Sequence, residues 1–440
     1  TACEKRLDVF PYQSIADDKA LLSEGDVNVT LIGAYDGAQA ATVYGGDIMV
    51  MNELIGNGDN INFTGTFAGL SEAYKAQMTA NNSNAAGTWA ATYSTINRVN
   101  NVLSAVDKVT SSTTKKNSVE GQALFLRGSL YFELVKLYAK SVGDGDYAAN
   151  PGVPLVLTPT GNVTTADYKA RATVKAVYDQ VIADLTKAET LLPSSNGIYA
   201  TKWAAAAQLS RVYLALKNYT EAGAAANRVI AGSGKTLATE IGKNWFTFIN
   251  NGGTTPGEYI FSMKVTAQDG INALNTYFGR TISTIAGTAG RSDCKIKAAH
   301  IAQYETGDAR KAYFELSGGN YYTKKHLDRF GDVPVVRLSE MYLTRAEANQ
   351  RNSTSVGATP LSDVNAIRTR AGLPALSAVT LADILKERKL ELAFEGQFLT
   401  DAKRLQTAVG TLTWNSPKLI LPIPQREMDV NKQLTQNEGY

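Results

Sequence analysis

Cysteine and histidine are nearly absent from this chain. Its 440 residues hold two of each: Cys3 and Cys294, His300 and His326. Two cysteines so far apart cannot form the disulfide framework that staples small secreted domains. Two histidines and one neighbouring cysteine give no pair at metal-ligand spacing, and a hydrolytic triad would rest on an unsupported imidazole. Both histidines are therefore expected to be core or solvated residues, and no enzyme signature, metal site or cofactor is expected. An excess of one charge is also lacking, with 44 Lys and Arg against 41 Asp and Glu. No basic stripe interleaves with aromatics, so nucleic acid is not an expected partner. No apolar run approaches the roughly twenty residues that cross a bilayer as a helix, so membrane attachment would need a lipid.

Length and tyrosine are what the chain has in quantity. At 47.2 kDa it could hold two or three average domains, or one large unit built from repeats. Its 21 tyrosines each offer a flat apolar face and a hydroxyl, which suits sugar rings and peptide backbones as well as cores. Between Trp203 and Ile230 small residues recur at Ser210, Ala222 and Ala226, with Tyr213 and Tyr219 on either side of a turn at Asn218. Small residues at those points let two antiparallel helices approach closely, and this spacing is tetratricopeptide-like. Apolar periodicity predicts further helices over Glu120–Tyr138 and Val174–Leu192, and helix pairs at 335–351 with 361–371 and at 381–396 with 398–408. Isolated helix pairs cannot bury their apolar faces, so stacking into one right-handed superhelical scaffold is predicted. Residues 33–88 and 232–330, rich in Gly, Asn, Thr and Tyr, read as long irregular insertions set on that scaffold. Near the end, Pro422 and Pro424 hold the chain extended as a strap over the body.

Three constellations invite a chemical reading. Gly232-Ser233-Gly234-Lys235-Thr236 looks like the end of a phosphate-binding loop, but Val229 stands where that motif needs glycine, and a helical hairpin precedes it rather than a strand. Glu387, Glu391 and Glu395 line one helix face at intervals of four. Like charges so spaced repel, and Arg388 with Asp401, Lys403 and Arg404 offers an ion-pair network instead of acid–base chemistry. Arg337, Glu340, Arg345 and Glu347 read as clamps of the same kind.

Four blocks, in order, carry a resemblance: Arg337-Leu338-Ser339-Glu340-Met341-Tyr342-Leu343, Asn365-Ala366-Ile367-Arg368-Thr369-Arg370-Ala371-Gly372-Leu373, Glu387-Arg388-Lys389-Leu390-Glu391-Leu392-Ala393-Phe394-Glu395-Gly396, and Leu421-Pro422-Ile423-Pro424. Together they closely resemble the C-terminal half of the SusD/RagB family of outer-membrane nutrient-binding lipoproteins. Gln397 stands where many relatives carry arginine, and Leu405 where an aromatic is common, departures that touch local pairing only. The resemblance implies a single unit over 1–440, mainly α-helical. Residues 1–32 would hold a lipid-anchor tether and first helix, 118–231 and 333–410 the tetratricopeptide-like hairpins, 33–88 and 232–330 ligand-side insertions, and 411–440 the strap. It also implies acylation at Cys3, which follows Thr1-Ala2 as in a lipobox and precedes Leu7-Asp8-Val9-Phe10-Pro11.

By the same resemblance, the function is non-catalytic capture of oligosaccharide at the outer membrane. Delivery would be to a SusC-like TonB-dependent transporter. A peptide ligand is the alternative, and a pure tetratricopeptide interaction scaffold or a lipoprotein glycosidase stand behind it. Trp89 opens a pattern, with Tyr93, Ile96 and Asn100, that looks like the family segment bordering the ligand pocket. Further ligand-binding candidates rest on loop position and ring chemistry: Phe67 and Tyr74 in the first insertion, then Tyr277, Arg280 and the adjacent Tyr321 and Tyr322. If extended, the last two point opposite ways, so at most one would face a ligand.

Overall fold

The computed structural model describes residues 21–161, 163–238, 257–282 and 287–440. In chain order the elements are α1 (Glu24–Gln39), α2 (Asp47–Ile55), β1 (Ile61–Phe63), α3 (Ala68–Tyr74), α4 (Ser83–Ser104), α5 (Thr113–Tyr138), α6 (Val174–Leu191), α7 (Lys202–Ala215), α8 (Tyr219–Gly232), β2 (Tyr259–Met263) and α9 (Ala273–Phe278). The second half contributes β3 (Cys294–Ile296), α10 (Ala298–Ile301), β4 (Phe314–Ser317), β5 (Asn320–Thr323), β6 (Val333–Arg337), α11 (Leu338–Asn352), α12 (Pro360–Arg370), α13 (Leu381–Glu391), α14 (Phe398–Leu405) and α15 (Gln425–Val430). The fold is mainly helical, as the periodicity predicts.

Helix starts are set by side chains. Ser23, Asn82, Ser112, Thr173, Thr201, Asn218, Thr359 and Thr380 each accept a hydrogen bond from a first-turn N–H. Each such cap contributes about 1 kcal/mol. Helix α5 packs on α6, α7 on α8, α8 on α11, and α11 on α12 and α13. The α5–α6 approach depends on Gly128, where a β-carbon would stand 2.9 Å from Leu185 Cγ.

The structure departs from the periodicity at three places. The helix predicted from residue 335 begins at Leu338, because Val333–Arg337 forms β6 and pairs antiparallel with β2. The helix predicted over 381–396 stops at Glu391, and Phe394 (φ 65°) and Gly396 (φ 78°) turn the chain into α14. Within 33–88, read as an irregular insertion, α2 is buried along its whole length and belongs to the core.

Glu387 and Glu391 on α13, with Glu395 just past its end, are held in ion pairs as expected, but their partners are Arg310, Arg337, Arg370 and Lys325 rather than the downstream cations. Arg337 reaches Glu258 (2.7 Å), Glu391 (2.6 Å) and Glu395 (2.8 Å), while Arg310 reaches Asp308 (2.8 Å) and Glu387 (2.5 Å). Arg370 joins Glu258 to Glu391, and Lys325 takes Glu395 at 2.7 Å. Arg388 and Arg404 share Asp401 at 2.9 and 2.6 Å, but Lys403, expected in the same network, makes no ion pair among the described residues. Both histidines are buried. His300 Nδ1 contacts Asn60 Oδ1 at 2.9 Å, and His326 Nε2 contacts the Phe394 carbonyl at 2.8 Å. Burial pushes their imidazoles down to about 3 and about 4, so they stay neutral in the folded chain.

The final residues dock on the body. Leu421 and Ile423 are fully buried, and Leu421 N–H donates to the Leu137 carbonyl at 2.8 Å. Gln436 exchanges hydrogen bonds with the Ile423 backbone, and Asn437 Nδ2 donates to the carbonyls of Tyr138 and Leu421.

Candidate functional site: an aromatic and charged loop face

A small sheet in the order β1-β3-β5-β4, all antiparallel, brings distant loops together. Ile61 pairs with Ile296 and Phe63 with Cys294, so the chain leaving β1 runs beside the chain entering β3. The Thr64 N–H donates to the Asp293 carbonyl at 2.8 Å and fixes that junction. Helix α9 closes the other side. Asn272 caps it by accepting from Asn275 N–H at 2.7 Å, and its start lies against Gly46, where a β-carbon would meet Leu274 N at 2.8 Å. Gly46 also has φ 132°, a value that side-chain-bearing residues rarely adopt.

This framework assembles three of the residues expected to bind ligand, Phe67, Tyr277 and Arg280. Phe67 is 45% exposed, and its ring meets Tyr277 edge-on, with centroids 5.7 Å apart and planes at 90°. Arg280 forms an ion pair with Glu315 at 3.3 Å and lies 5.5 Å from the Tyr322 ring centroid. A β-bridge between Arg280 and Arg291 joins the two pairs, because the Arg291 guanidinium sits 4.7 Å from the centroid of Phe67.

The remaining candidates fall elsewhere. Tyr322 is buried beneath Arg280, so its ring is a support, and half-buried Tyr321 faces the Leu316 side of the hairpin. Tyr74 packs on Phe63 and donates to the Ile61 carbonyl at 3.3 Å, which braces β1. Trp89 corrects the expectation of a stacking platform. It is 4% exposed, with Tyr93 and Tyr138 centroids at 4.9 and 5.1 Å, so its ring has no free face to offer. Cys3 lies outside the described residues.

Several polar members of this face were not anticipated. Arg291 donates to Asp293 at 3.0 Å and to Thr66 Oγ1 at 3.3 Å. Asp47, at the start of α2, is 6% exposed and accepts one long hydrogen bond, from Asn84 at 3.4 Å. Burial raises its carboxyl to about 6. Burial first, and then the nearby Asp47, lifts the Tyr277 phenol to about 12, so it remains a hydrogen-bond donor. The one signal in the sequence was Arg291-Ser292-Asp293, two opposite charges in a glycine-containing loop; nothing marked Asp47. The assembled face offers one exposed ring, a second ring at its edge, and guanidinium, carboxylate and phenol groups around them. The chemistry of that combination suits a ring-shaped polar ligand, which stacks on an exposed ring and hydrogen-bonds to groups around it. Cys294 lies beneath it, fully buried, and burial pushes its thiol well above the ordinary range.

Fold and face together define a class of protein: a scaffold of helical hairpins with an aromatic and charged surface carried on its insertions. Residues 5–214 match a family model described as starch-binding and associating with the outer membrane, and residues 318–418 match that of the SusD family. The chain belongs to the SusD/RagB family. It is 24% identical to SusD-like protein P2 of Formosa agariphila over 99% of this chain and 96% of that protein. A candidate sugar-binding protein of Bacteroides vulgatus superposes with a TM-score of 0.83 and 26% identity, covering 96% of this chain and 99% of that one. Surface glycan-binding protein A of Bacteroides uniformis superposes with a TM-score of 0.79 and 20% identity, covering 94% and 99%.

Proposed function

We propose that this protein captures oligosaccharide at the outer membrane and performs no chemistry on it, and that the Phe67–Tyr277–Arg291 face is where the sugar docks. The observation that carries the site is the half-exposed Phe67 ring. It is held rigid by Tyr277 and Arg291 and ringed by groups that can bind hydroxyls. Capture without turnover fits the acidic groups as well, since the α13 carboxylates are consumed by buried ion pairs and do not reach this face. Family membership supports the ligand class, and the description of the model matching residues 5–214 supports the location. Anchoring through an acylated Cys3 and hand-over to a SusC-like TonB-dependent transporter complete the reading.

Affinity electrophoresis of the purified chain against plant, fungal and host glycans, alongside mixed peptides and followed by calorimetry, tests it. A retarded glycan, with binding weakened about tenfold in Phe67→Ala, is expected from the loss of one stacking ring. Unchanged glycan affinity in Phe67→Ala overturns the site, and binding of peptides alone moves the protein to peptide import. For the anchor, labelled palmitate should enter the wild-type chain in cells and not Cys3→Ala; equal labelling refutes it.

A further inference from the structure

The pairing of buried cations has one exception among the described residues. Among the described residues, the buried side chains of Arg127, Arg310, Lys325, Arg337, Arg345, Arg368, Arg388 and Arg404 each have a carboxylate within ion-pair distance. Lys403 is 5% exposed and has none. Its Nζ makes a single long contact, to the Lys136 carbonyl at 3.5 Å. An isolated buried ammonium is among the costliest arrangements a protein can hold, so a group that neutralises it is required or the proton must leave.

The space beside Lys403 is built to supply that group. A pocket of about 30 Å³ opens there among α2, α5, α6, α7 and α14, lined by Lys403, Asn52, Tyr178, Thr400 and Lys136 with apolar walls. Two neutral donors border it with no hydrogen-bond acceptor among the described residues. Asn52 is 1% exposed and uses its Oδ1 to accept from Thr400 Oγ1 at 3.1 Å, which leaves its Nδ2 amide free. Tyr178 is 5% exposed, and burial raises its phenol far enough to keep it protonated. The volume admits one small ion or one or two waters and nothing larger.

We propose that this pocket is a binding site for one small inorganic anion of chloride size, held by Lys403 Nζ with Asn52 Nδ2 and Tyr178 Oη as further donors. The surrounding charges leave that role open. Lys136 is paired with Glu133 at 2.8 Å, Arg211 of α7 with Glu340 at 2.6 Å, and Arg404 with Asp401 and Glu347 at 2.6 and 2.7 Å. Asp144, in the loop after α5, acts on Lys403 through space without reaching it. Burial lowers the empty site's amine to about 7, so anion and proton enter together above that pH. The anion would tie α14 to the α5–α6 hairpin and to α2, and the inference does not depend on the sugar reading.

The test takes the full chain equilibrated in sodium gluconate and titrates in sodium chloride at constant ionic strength. Thermal unfolding and calorimetry are read at pH 6 and pH 9. Chloride should raise Tm over gluconate at pH 6, do so less at pH 9, and have no specific effect on Lys403→Met. Tyr178→Phe removes one hydroxyl, keeps the ring packing, and should weaken chloride about tenfold. Equal responses to chloride and gluconate in the wild type at pH 6 overturn the proposal and leave a neutral amine with water. A chloride effect that persists in Lys403→Met overturns it too. Should Lys403→Met fail to fold, unchanged chloride affinity in Tyr178→Phe is decisive against it.

Discussion

Ring exposure separates two aromatic residues that the sequence presents alike. Trp89 and Phe67 both sit where a family resemblance or a loop position suggested contact with ligand, yet one is 4% and the other 45% exposed. Replacing Trp89 with Ala should cost about 3–5 kcal/mol of stability by opening a cavity against Tyr93 and Tyr138, with sugar affinity of the folded fraction unchanged. Chemical denaturation of the variant alongside calorimetry checks both halves. The burial was not legible in the sequence because the ring's partner, Tyr138, lies on the next long helix, α5, and helical periodicity says which face turns inward without saying what meets it.

Glu53 makes a second residue-scale case. It is fully buried on α2, and its Oε1 accepts from Gly396 and Gln397 N–H at 2.7 and 2.9 Å, while Oε2 has no partner among the described residues. Burial outweighs those two donors and lifts the carboxyl to about 8. Between its unfolded value of 4.5 and 8 the folded chain therefore binds more protons than the unfolded one, and this residue's contribution to stability falls as pH rises through that window. Glu53→Gln keeps the acceptor and loses the charge. It should be more stable than wild type at pH 8.5, by about 2–4 kcal/mol, and nearly equal at pH 5, as read from urea unfolding at the two pH values.

At the scale of elements, what could be read locally was read, and what depended on distant pairing was not. Long helices such as α5 and α6 announce themselves by apolar period and by capping residues, here Ser112 and Thr173. The strands of the small sheet are three or four residues long, and β1 finds its partner β3 on the far side of eight intervening elements, so no window of sequence contains the pattern. The aromatic face depends on that pairing, which is why Phe67, Tyr277 and Arg280 could be named one by one while their meeting, and the part played by Arg291 and Asp47, could not. Lys403 was misread for a local reason: Arg404, one position on, takes the Asp401 carboxylate that sequence spacing offered to both.

The strap behaves as an element too. Its prolines announced extended chain, and its docking through Leu421, Ile423, Gln436 and Asn437 is energetic as well as geometric. Ile423→Ala should cost about 2–4 kcal/mol and lower Tm by several degrees in a thermal melt. A loss that small substitution cannot produce, such as release of the whole strap, would show as proteolysis confined to the last twenty residues, and intact resistance is the expected outcome.

Across the whole molecule, the buried ion network joins parts of the chain that otherwise have little in common. Arg337 closes β6, Glu258 precedes β2, Arg310 lies between α10 and β4, and Glu391 ends α13. Burial alone would raise the Glu391 carboxyl, but the guanidiniums of Arg370, Arg337 and Arg310 outweigh it and hold it well below 4.5. A carboxylate lowered in the folded state stabilises above its unfolded pKa, and that contribution is lost only as pH falls through the folded value. Acid weakening should therefore begin earlier from another source. His300 and His326 are lowered to about 3 and about 4, so below the ordinary imidazole value of 6.5 the unfolded chain takes up protons that the folded chain refuses. On the histidines' account alone stability would fall from pH 6.5 toward 4, and Glu53 and Asp47, whose raised carboxyls contribute in the opposite sense over the same range, offset much of that fall. Glu391→Gln isolates the network. At pH 7 it should lose about 3–5 kcal/mol, because Arg337 and Arg370 are left buried with one acceptor fewer, while its response between pH 6.5 and 5 stays parallel to that of the wild type. Denaturant unfolding across that range gives the answer: parallel curves place the early acid sensitivity in the histidines, and a flattened curve for Glu391→Gln would transfer it to the ion network that ties the insertions to the helical hairpins.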